Sequence, residues 1–286
     1  MRRLALVPIL FCLAAGLTVE VAASDGGPSP GAITGWDGVV APGGAVRYVA
    51  LAGTSTTVAA VRIRDGRVLR YAFLKGFYGV PLVAYDGSAD GVSADGKTLV
   101  LASFPGRPSA KAVTRFPILA TRSLKLRRMV TLRGAFSYDA MSPDGSTVYL
   151  IEYLSDAPNL RYRVRALDAR TGRLFEGAIV DKSEPEAMQG YPLARATPAD
   201  RSWAFTLYRK NVGKAFVHAL DTRHRSAVCV DLPWRIGQAT VKMALSRDGS
   251  RLVLRQPHVG TLAVVDTRSF HVRAIRKPVE PGSPVG

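Results

Sequence analysis

Residues 140–153 read AMSPDGSTVYLIEY, and the reading of their centre, Ser142-Pro143-Asp144-Gly145, decides what kind of protein this is. As a polar loop the segment would hold a ligand. As a tight turn between two apolar strands it would be a structural device. Pro143 presets φ for a turn, Asp144 offers a side-chain acceptor to the backbone just ahead, and Gly145 tolerates positive φ. A ligand site needs one such segment, whereas a structural device is expected to recur.

The frame does recur. Ser93-Ala94-Asp95-Gly96-Lys97-Thr98-Leu99-Val100 and Ser246-Arg247-Asp248-Gly249-Ser250-Arg251-Leu252-Val253 repeat it closely, and degenerate copies begin at Thr197 and Ala41. With starts at 41, 93, 142, 197 and 246, the intervals are 52, 49, 55 and 49 residues. A period of this size marks stacked supersecondary units. A second signature follows in each unit: Ala166-Leu167-Asp168-Ala169-Arg170-Thr171-Gly172, Ala219-Leu220-Asp221-Thr222-Arg223 and Val264-Val265-Asp266-Thr267-Arg268 are the clear copies. Ile63-Arg64-Asp65-Gly66 and Ala120-Thr121-Arg122-Ser123 are the looser ones. An apolar strand, an Asp-rich turn and another apolar strand make a hairpin. Two hairpins per unit give four short antiparallel strands.

Five such units without a credible long helix describe an all-β protein, a β-propeller of five four-stranded antiparallel blades. The SxDGxxL/V strand followed by the V/A-x-D-T/A-x-T-G hairpin resembles the WD, YVTN and TolB-type propeller repeats. The resemblance spans about residues 30–277 and implies the fold; it is weak for function, since propellers host many unrelated activities. Familiar members often have six or seven blades, so five is a departure, and the residues between Ser24 and Ala41 leave little room for a sixth beside the first inner strand. Two stacked β-sandwiches are the alternative architecture, but a sandwich has no reason to keep even spacing.

The amino terminus stands apart. Arg2 and Arg3, an apolar run from Leu4 to Leu17, and Val21-Ala22-Ala23-Ser24 have the layout of a secretory signal peptide, with cleavage expected after Ala23. Glu20 cuts the run short of the roughly 20 residues that span a bilayer. The domain plan is therefore a signal peptide over 1–23, one propeller over 30–277 and a flexible tail over 278–286. Cleavage would leave Cys229 as the single cysteine, so no internal disulfide is expected and stability must come from burial. Cys229 lies in an apolar strand-like run, where an inert thiol is expected.

Lys and Arg number 39 against 22 Asp and Glu, a formal charge of +17. Such a surface favours anionic partners. The densest clusters, Leu124-Lys125-Leu126-Arg127-Arg128 and Arg161-Tyr162-Arg163-Val164-Arg165, alternate with apolar residues as half-exposed strands do, unlike nucleic-acid-binding tails. A protein or an anionic cell-envelope polymer is the expected partner, ahead of nucleic acid, and a monomer is expected.

In an antiparallel meander the two tight turns of each unit share one face, and the longer loops share the other, which is where binding is expected. Phe77, Tyr78, Phe104, Tyr153, Tyr191 and Trp234 fall in those loops, with Glu184, Glu186 and Arg235 beside them. Stacking and polar contacts from such a set suit a sugar, a peptide or a protein. About two of the six aromatics are expected to reach solvent. No nucleophile elbow, zinc-protease, phosphate-loop or CxxC motif occurs, and the four histidines fit strand or turn positions, so neither metal nor cofactor is expected. The enzymatic alternative rests on Asp37, Asp86 and Asp139, each after an aromatic residue near an innermost strand. Carboxylates lining a channel could act on a glycoside, but their register against the units is inexact and no Glu accompanies them.

Overall fold

The computed structural model describes residues 31–104, 111–154, 161–184 and 188–281. Its elements are all strands. β1 (Gly31–Ile33) precedes the first blade, formed by β2 (Gly35–Val40), β3 (Val46–Leu51), β4 (Thr56–Arg62) and β5 (Val68–Leu74). The second comprises β6 (Tyr78–Leu82), β7 (Thr98–Val100), β8 (Ala102–Ser103), β9 (Val113–Ala120) and β10 (Leu126–Arg133). The third has β11 (Phe136–Met141), β12 (Thr147–Tyr153), β13 (Arg161–Asp168) and β14 (Met188–Gln189). The fourth has β15 (Tyr191–Ala196), β16 (Trp203–Arg209), β17 (Phe216–Asp221) and β18 (Ser226–Asp231). The fifth has β19 (Lys242–Leu245), β20 (Arg251–Gln256), β21 (Gly260–Asp266) and β22 (Val272–Ala274). The first, third, fourth and fifth blades pair their strands in antiparallel chain order.

The second blade departs from the expected plan. β6 pairs with β1 on one side and β8 on the other, while β7 pairs with β9. The Leu101 amide donating to Pro117 O (3.0 Å) carries the ladder between the two three-stranded pieces. The segment before Ala41 thus divides: Gly35–Val40 makes the expected first inner strand, and Gly31–Ile33 adds a fifth strand to the next blade.

The turns show why the repeat exists. Ser142 Oγ donates to Asp144 Oδ1 (2.7 Å) and accepts from the Thr147 amide (2.9 Å), while Asp144 Oδ1 accepts from the Ser146 amide (3.0 Å). Ser93 with Asp95 (2.6 Å) and Ser246 with Asp248 (2.6 Å) close the same ring. In the hairpin that follows, Asp168, Asp221 and Asp266 each accept two backbone amides from the residues just ahead. Where a threonine follows the turn's first position, its hydroxyl stitches the two turns of a blade together: Thr121 to Gly96 O (2.6 Å), Thr222 to Arg201 O (2.5 Å) and Thr267 to Gly249 O (2.8 Å). Both turns therefore lie on one face, and their polar atoms are occupied within the chain. In the degenerate fourth copy Arg201 takes the glycine position at φ 53. That left-handed backbone costs a non-glycine residue about 1–2 kcal/mol, and the Arg201–Asp90 ion pair offsets it.

Alternating residues weld consecutive blades. Tyr48, Ala50, Val58 and Ala60 meet Val80, Leu99 and Leu119 between the first and second. Val100, Phe116 and Ile118 meet Met141, Val148 and Leu150 between the second and third. Tyr149 and Ala166 meet Ala204 and Leu220 in the next interface, and Phe205, Leu207 and Val217 meet Leu252, Leu254 and Val265 in the last. Among the described residues no hydrophobic cluster joins the fifth blade back to the first. Val49, Ala59 and Val61 instead form a small cluster with Leu51 within the first blade alone.

Residues 278–281, expected in the tail, are held: Gln256 brackets Val279 through two hydrogen bonds (2.6 and 2.9 Å), and Glu280 accepts the amides of Gly237 (2.8 Å) and Gln238 (2.6 Å).

Candidate functional site

The inner strands meet at an axis filled by the chain itself. Between β6 and β7 the backbone crosses from the second blade to the fourth, where the Tyr85 amide donates to Pro192 O (2.8 Å) and Asp86 Oδ2 accepts the Arg195 amide (3.2 Å). Behind this crossing lie two ion pairs, Arg195–Asp139 and Arg201–Asp90. Arg195 Nη2 also donates to Asp139 O (3.0 Å). Tyr138, Thr206, Tyr208 and His218 pack around them, all buried.

Burial sets the protonation states. It pushes the Tyr138 and Tyr208 hydroxyls upward, and the carboxylates of Asp90 and Asp139 push the same way, on Tyr138 and Tyr208 respectively. It pushes His218 down to about 4, so the imidazole is neutral at pH 7. For Arg195, burial opposes the charge, but Asp139, Tyr208 and Asp90 together outweigh it and the pKa rises. An acid–base catalyst needs a pKa near the working pH and access to substrate. His218 titrates well below neutrality, both tyrosines well above it, and none has access.

This arrangement uses the three aspartates of the enzymatic reading in separate ways. Asp139 is buried against Arg195. Asp86 is exposed, with one oxygen on the Ser88 amide (3.0 Å) and the other on that of Arg195. Asp37 is exposed on β2 and shares no hydrogen bond with either. Asp86 and Asp139 meet only through Arg195, as elements of the axis.

The loop-face aromatics divide. Tyr78, Tyr153 and Trp234 are buried at 4%, 9% and 7% exposure, out of a ligand's reach, whereas Phe77 (50%) and Phe104 (39%) are exposed with ring centroids 4.8 Å apart. Tyr191 is half-buried, with the Arg209 guanidinium 5.0 Å from its ring centroid. Tyr85, near both, has its hydroxyl pushed up by burial and by Tyr191, against the opposing Arg209 charge. Glu184 and Arg235 are exposed; Glu186 lies outside the described residues. Exposed apolar side chains, an aromatic–guanidinium stack and free charges on one face can hold a planar or extended ligand through stacking and polar contacts.

The basic clusters behave differently from one another. Arg163 Nε and Arg165 Nη1 both donate to Glu152 (2.7 and 2.9 Å). Burial would raise the Glu152 pKa, but the two guanidiniums outweigh it and hold the carboxyl low. Arg127 and Arg128, with Arg170, line a cleft of about 440 Å³ on the tight-turn face, beside Thr98, Asp144 and Ser146. Burial, then Glu184 and Asp181, push the Cys229 thiol up to about 12. Among the described residues no group of His, Cys, Asp and Glu could hold a metal, and no helix is long and apolar enough to cross a membrane.

Asp90, Arg195, Arg201 and His218 were not singled out by the sequence reading. Arg195 carried a signal, a charge within the apolar frame of an inner strand.

No protein-family model and no curated protein matches this chain. Solved structures do. A functionally unknown protein from Desulfotomaculum acetoxidans is 14% identical over 83% of this chain and 68% of its own, with a TM-score of 0.51. The dihydro-heme d1 dehydrogenase NirN in complex with DHE is 14% identical over 87% of this chain, with a TM-score of 0.50; the chain spans 48% of its length. The beta-propeller domain of Cps50 (Swd1) from Myceliophteria thermophila is 13% identical over 82% of this chain and 69% of its own, with a TM-score of 0.46. At such identities the likeness concerns the fold, that of a propeller-repeat protein.

Proposed function

We propose that this chain is an exported, non-catalytic, monomeric propeller scaffold that binds a protein or a cell-envelope polymer through its loop-rich face. The observation that carries the reading is the exposed Phe77–Phe104 pair on that face. Its setting supports it: the axis, where a propeller enzyme would keep its carboxylates, is filled by ion pairs. The amino-terminal pattern of Arg2, Arg3 and the run from Leu4 to Leu17 supports export. The test compares capture from an envelope extract by the wild type and by Phe77→Ser/Phe104→Ser. Loss of a captured species at unchanged melting temperature supports the reading; equal capture, or release of reducing ends from a glycan panel by the wild type, overturns it.

A second reading, binding of an anionic polymer at the tight-turn face, is favoured by the cleft of Arg127, Arg128 and Arg170, none of which is in an ion pair among the described residues. Steep loss of binding with added salt supports it, and a flat profile removes it.

A further inference from the structure

A second, larger cleft of about 570 Å³ lies on the tight-turn face between the fourth and fifth blades. One position of the repeat sets it apart. Thr98, Thr147 and Trp203 hold the same place in their blades, each pairing with the residue that opens the blade's second turn: Thr98 with Ala120, Thr147 with Asp168 and Trp203 with Asp221. Between the second and third blades the neighbouring turns touch. A Cβ at Gly145 would meet Thr98 Oγ1 at 2.7 Å, and the Asp95 amide donates to Pro143 O (3.1 Å). Between the fourth and fifth, an indole takes the place of the threonine and the turns stand apart. A Cβ at Gly249 would meet nothing within 4 Å, and among the described residues no backbone hydrogen bond joins the two turns.

Trp203 lines this cleft, half-buried and held by two other rings. Phe205 stacks on it, with centroids 5.8 Å apart and planes 12° from parallel, and Phe270 meets it edge to face at 5.7 Å. Two carboxylates and two guanidiniums share the lining. The turns fix the carboxylates: Asp200 Oδ1 accepts from the Ser202 amide and hydroxyl (3.1 and 2.8 Å), and Asp248 Oδ1 accepts from the Ser246 hydroxyl (2.6 Å). Oδ2 of each takes one bond within the chain, from Arg223 to Asp200 (3.2 Å) and from the Ser250 hydroxyl to Asp248 (2.8 Å). A carboxylate oxygen can accept two, so both retain an acceptor position. Arg247 and Arg268 are exposed, and neither is in an ion pair among the described residues.

The two charges of each sign balance, so the cleft does not select a polyanion, in contrast to the one lined by Arg127, Arg128 and Arg170. An aromatic ring set among fixed acceptors and free donors matches a ligand with an apolar ring face and a rim of hydroxyls. We propose that this cleft binds a neutral saccharide, with a pyranose ring stacked on Trp203, its hydroxyls donating to Asp200 and Asp248 and accepting from Arg247 and Arg268. The volume of about 570 Å³ falls within the roughly 300–1,000 Å³ of small-ligand sites. This site is on the face opposite Phe77 and Phe104 and does not depend on the loop-face reading.

The test titrates β-1,4-linked tetrasaccharides of glucose and of N-acetylglucosamine into the full chain by isothermal titration calorimetry, with tetragalacturonate as the acidic control. At least one neutral probe should bind with a Kd below about 1 mM, and more tightly than the acidic one. Trp203→Thr, which installs the residue of the second and third blades, should weaken that binding at least about tenfold, and Arg247→Gln/Arg268→Gln at least about threefold. Phe77→Ser/Phe104→Ser should leave it unchanged, which separates this site from the loop face. Should Trp203→Thr unfold, the arginine pair decides, because both of its side chains are exposed. The proposal is overturned if neither neutral probe binds, if tetragalacturonate binds more tightly, if the folded variants of the cleft bind as the wild type does, or if the loop-face variant loses the binding.

Discussion

Replacing Asp139 by Asn keeps the shape of the side chain and removes its charge, leaving Arg195 to carry a buried positive charge alone. The two side chains are 2% and 4% exposed, so water cannot take over the role of the carboxylate. Breaking such a pair from one side costs about 3–5 kcal/mol. Asp139 O still accepts from Arg195 Nη2 at 3.0 Å, which places the expected loss at the lower end of that range. In a domain of this size each kcal/mol moves the midpoint about 2–4 °C, so a fall of about 6–12 °C is expected. Arg195→Met strands the carboxylate and should cost a similar amount. The double variant Asp139→Asn/Arg195→Met removes both charges and should recover at least about 2 kcal/mol relative to the sum of the singles. Urea unfolding at pH 7, followed by tryptophan fluorescence, measures all four proteins. If Asp139→Asn costs under about 1 kcal/mol, as a solvated surface pair would, or if the singles simply add, the account of the axis as a desolvated ion pair is wrong.

Three further outcomes are expected. His218 stays neutral in the fold down to about pH 4 against an ordinary value of 6.5, so the unfolded chain binds the extra proton between these limits; its contribution is full above pH 6.5 and declines by roughly 3 kcal/mol as pH falls to 4. His218→Leu should flatten that part of the pH–stability curve, and equal acid sensitivity in wild type and variant would contradict it. Gly145→Ala and Gly249→Ala separate backbone strain from crowding: both glycines sit near φ +70, but a Cβ at Gly145 would meet Thr98 Oγ1 at 2.7 Å, whereas one at Gly249 meets nothing within 4 Å. The second change should cost about 1–2 kcal/mol and the first measurably more, and equal urea midpoints would refute the distinction. Cys229, half-buried with its thiol pushed up to about 12, should react with a disulfide reagent at pH 8 far more slowly than the same thiol in urea; equally fast labelling of the native protein would show it accessible as thiolate.

The repeat was legible because its chemistry is local. The serine and aspartate of each SPDG-like turn bond to residues within five positions, so the motif that reads as a turn also builds it. The axis was not legible for the opposite reason. Arg195 and Asp139 are 56 residues apart, and Arg201 and Asp90 are 111 apart, distances over which one sequence records no pairing. The loop aromatics misled where strands run on past their expected ends. Tyr153 still pairs with Tyr162 in the ladder, and hydrogen bonds from Leu232 to Ala215 and from Ala215 to Trp234 extend the outer edge of the fourth blade. Trp234 is thereby drawn into the core, while Phe77, at the entry to β6, is left outside.

The same period-two logic distinguishes the interior blades from the fifth. In an interior blade both faces are apolar, as in β16, where Ala204 packs toward the third blade and Phe205 toward the fifth. β20 breaks the rule: Leu252 and Leu254 pack on the fourth blade, but Arg251 and Arg255 occupy the other face. The face carries a carboxylate of its own, for Arg251 lies directly opposite Asp266 in the β20–β21 ladder. The fifth blade thus directs its apolar burial at the fourth, and its charged positions fall on the alternate residues of the same strands.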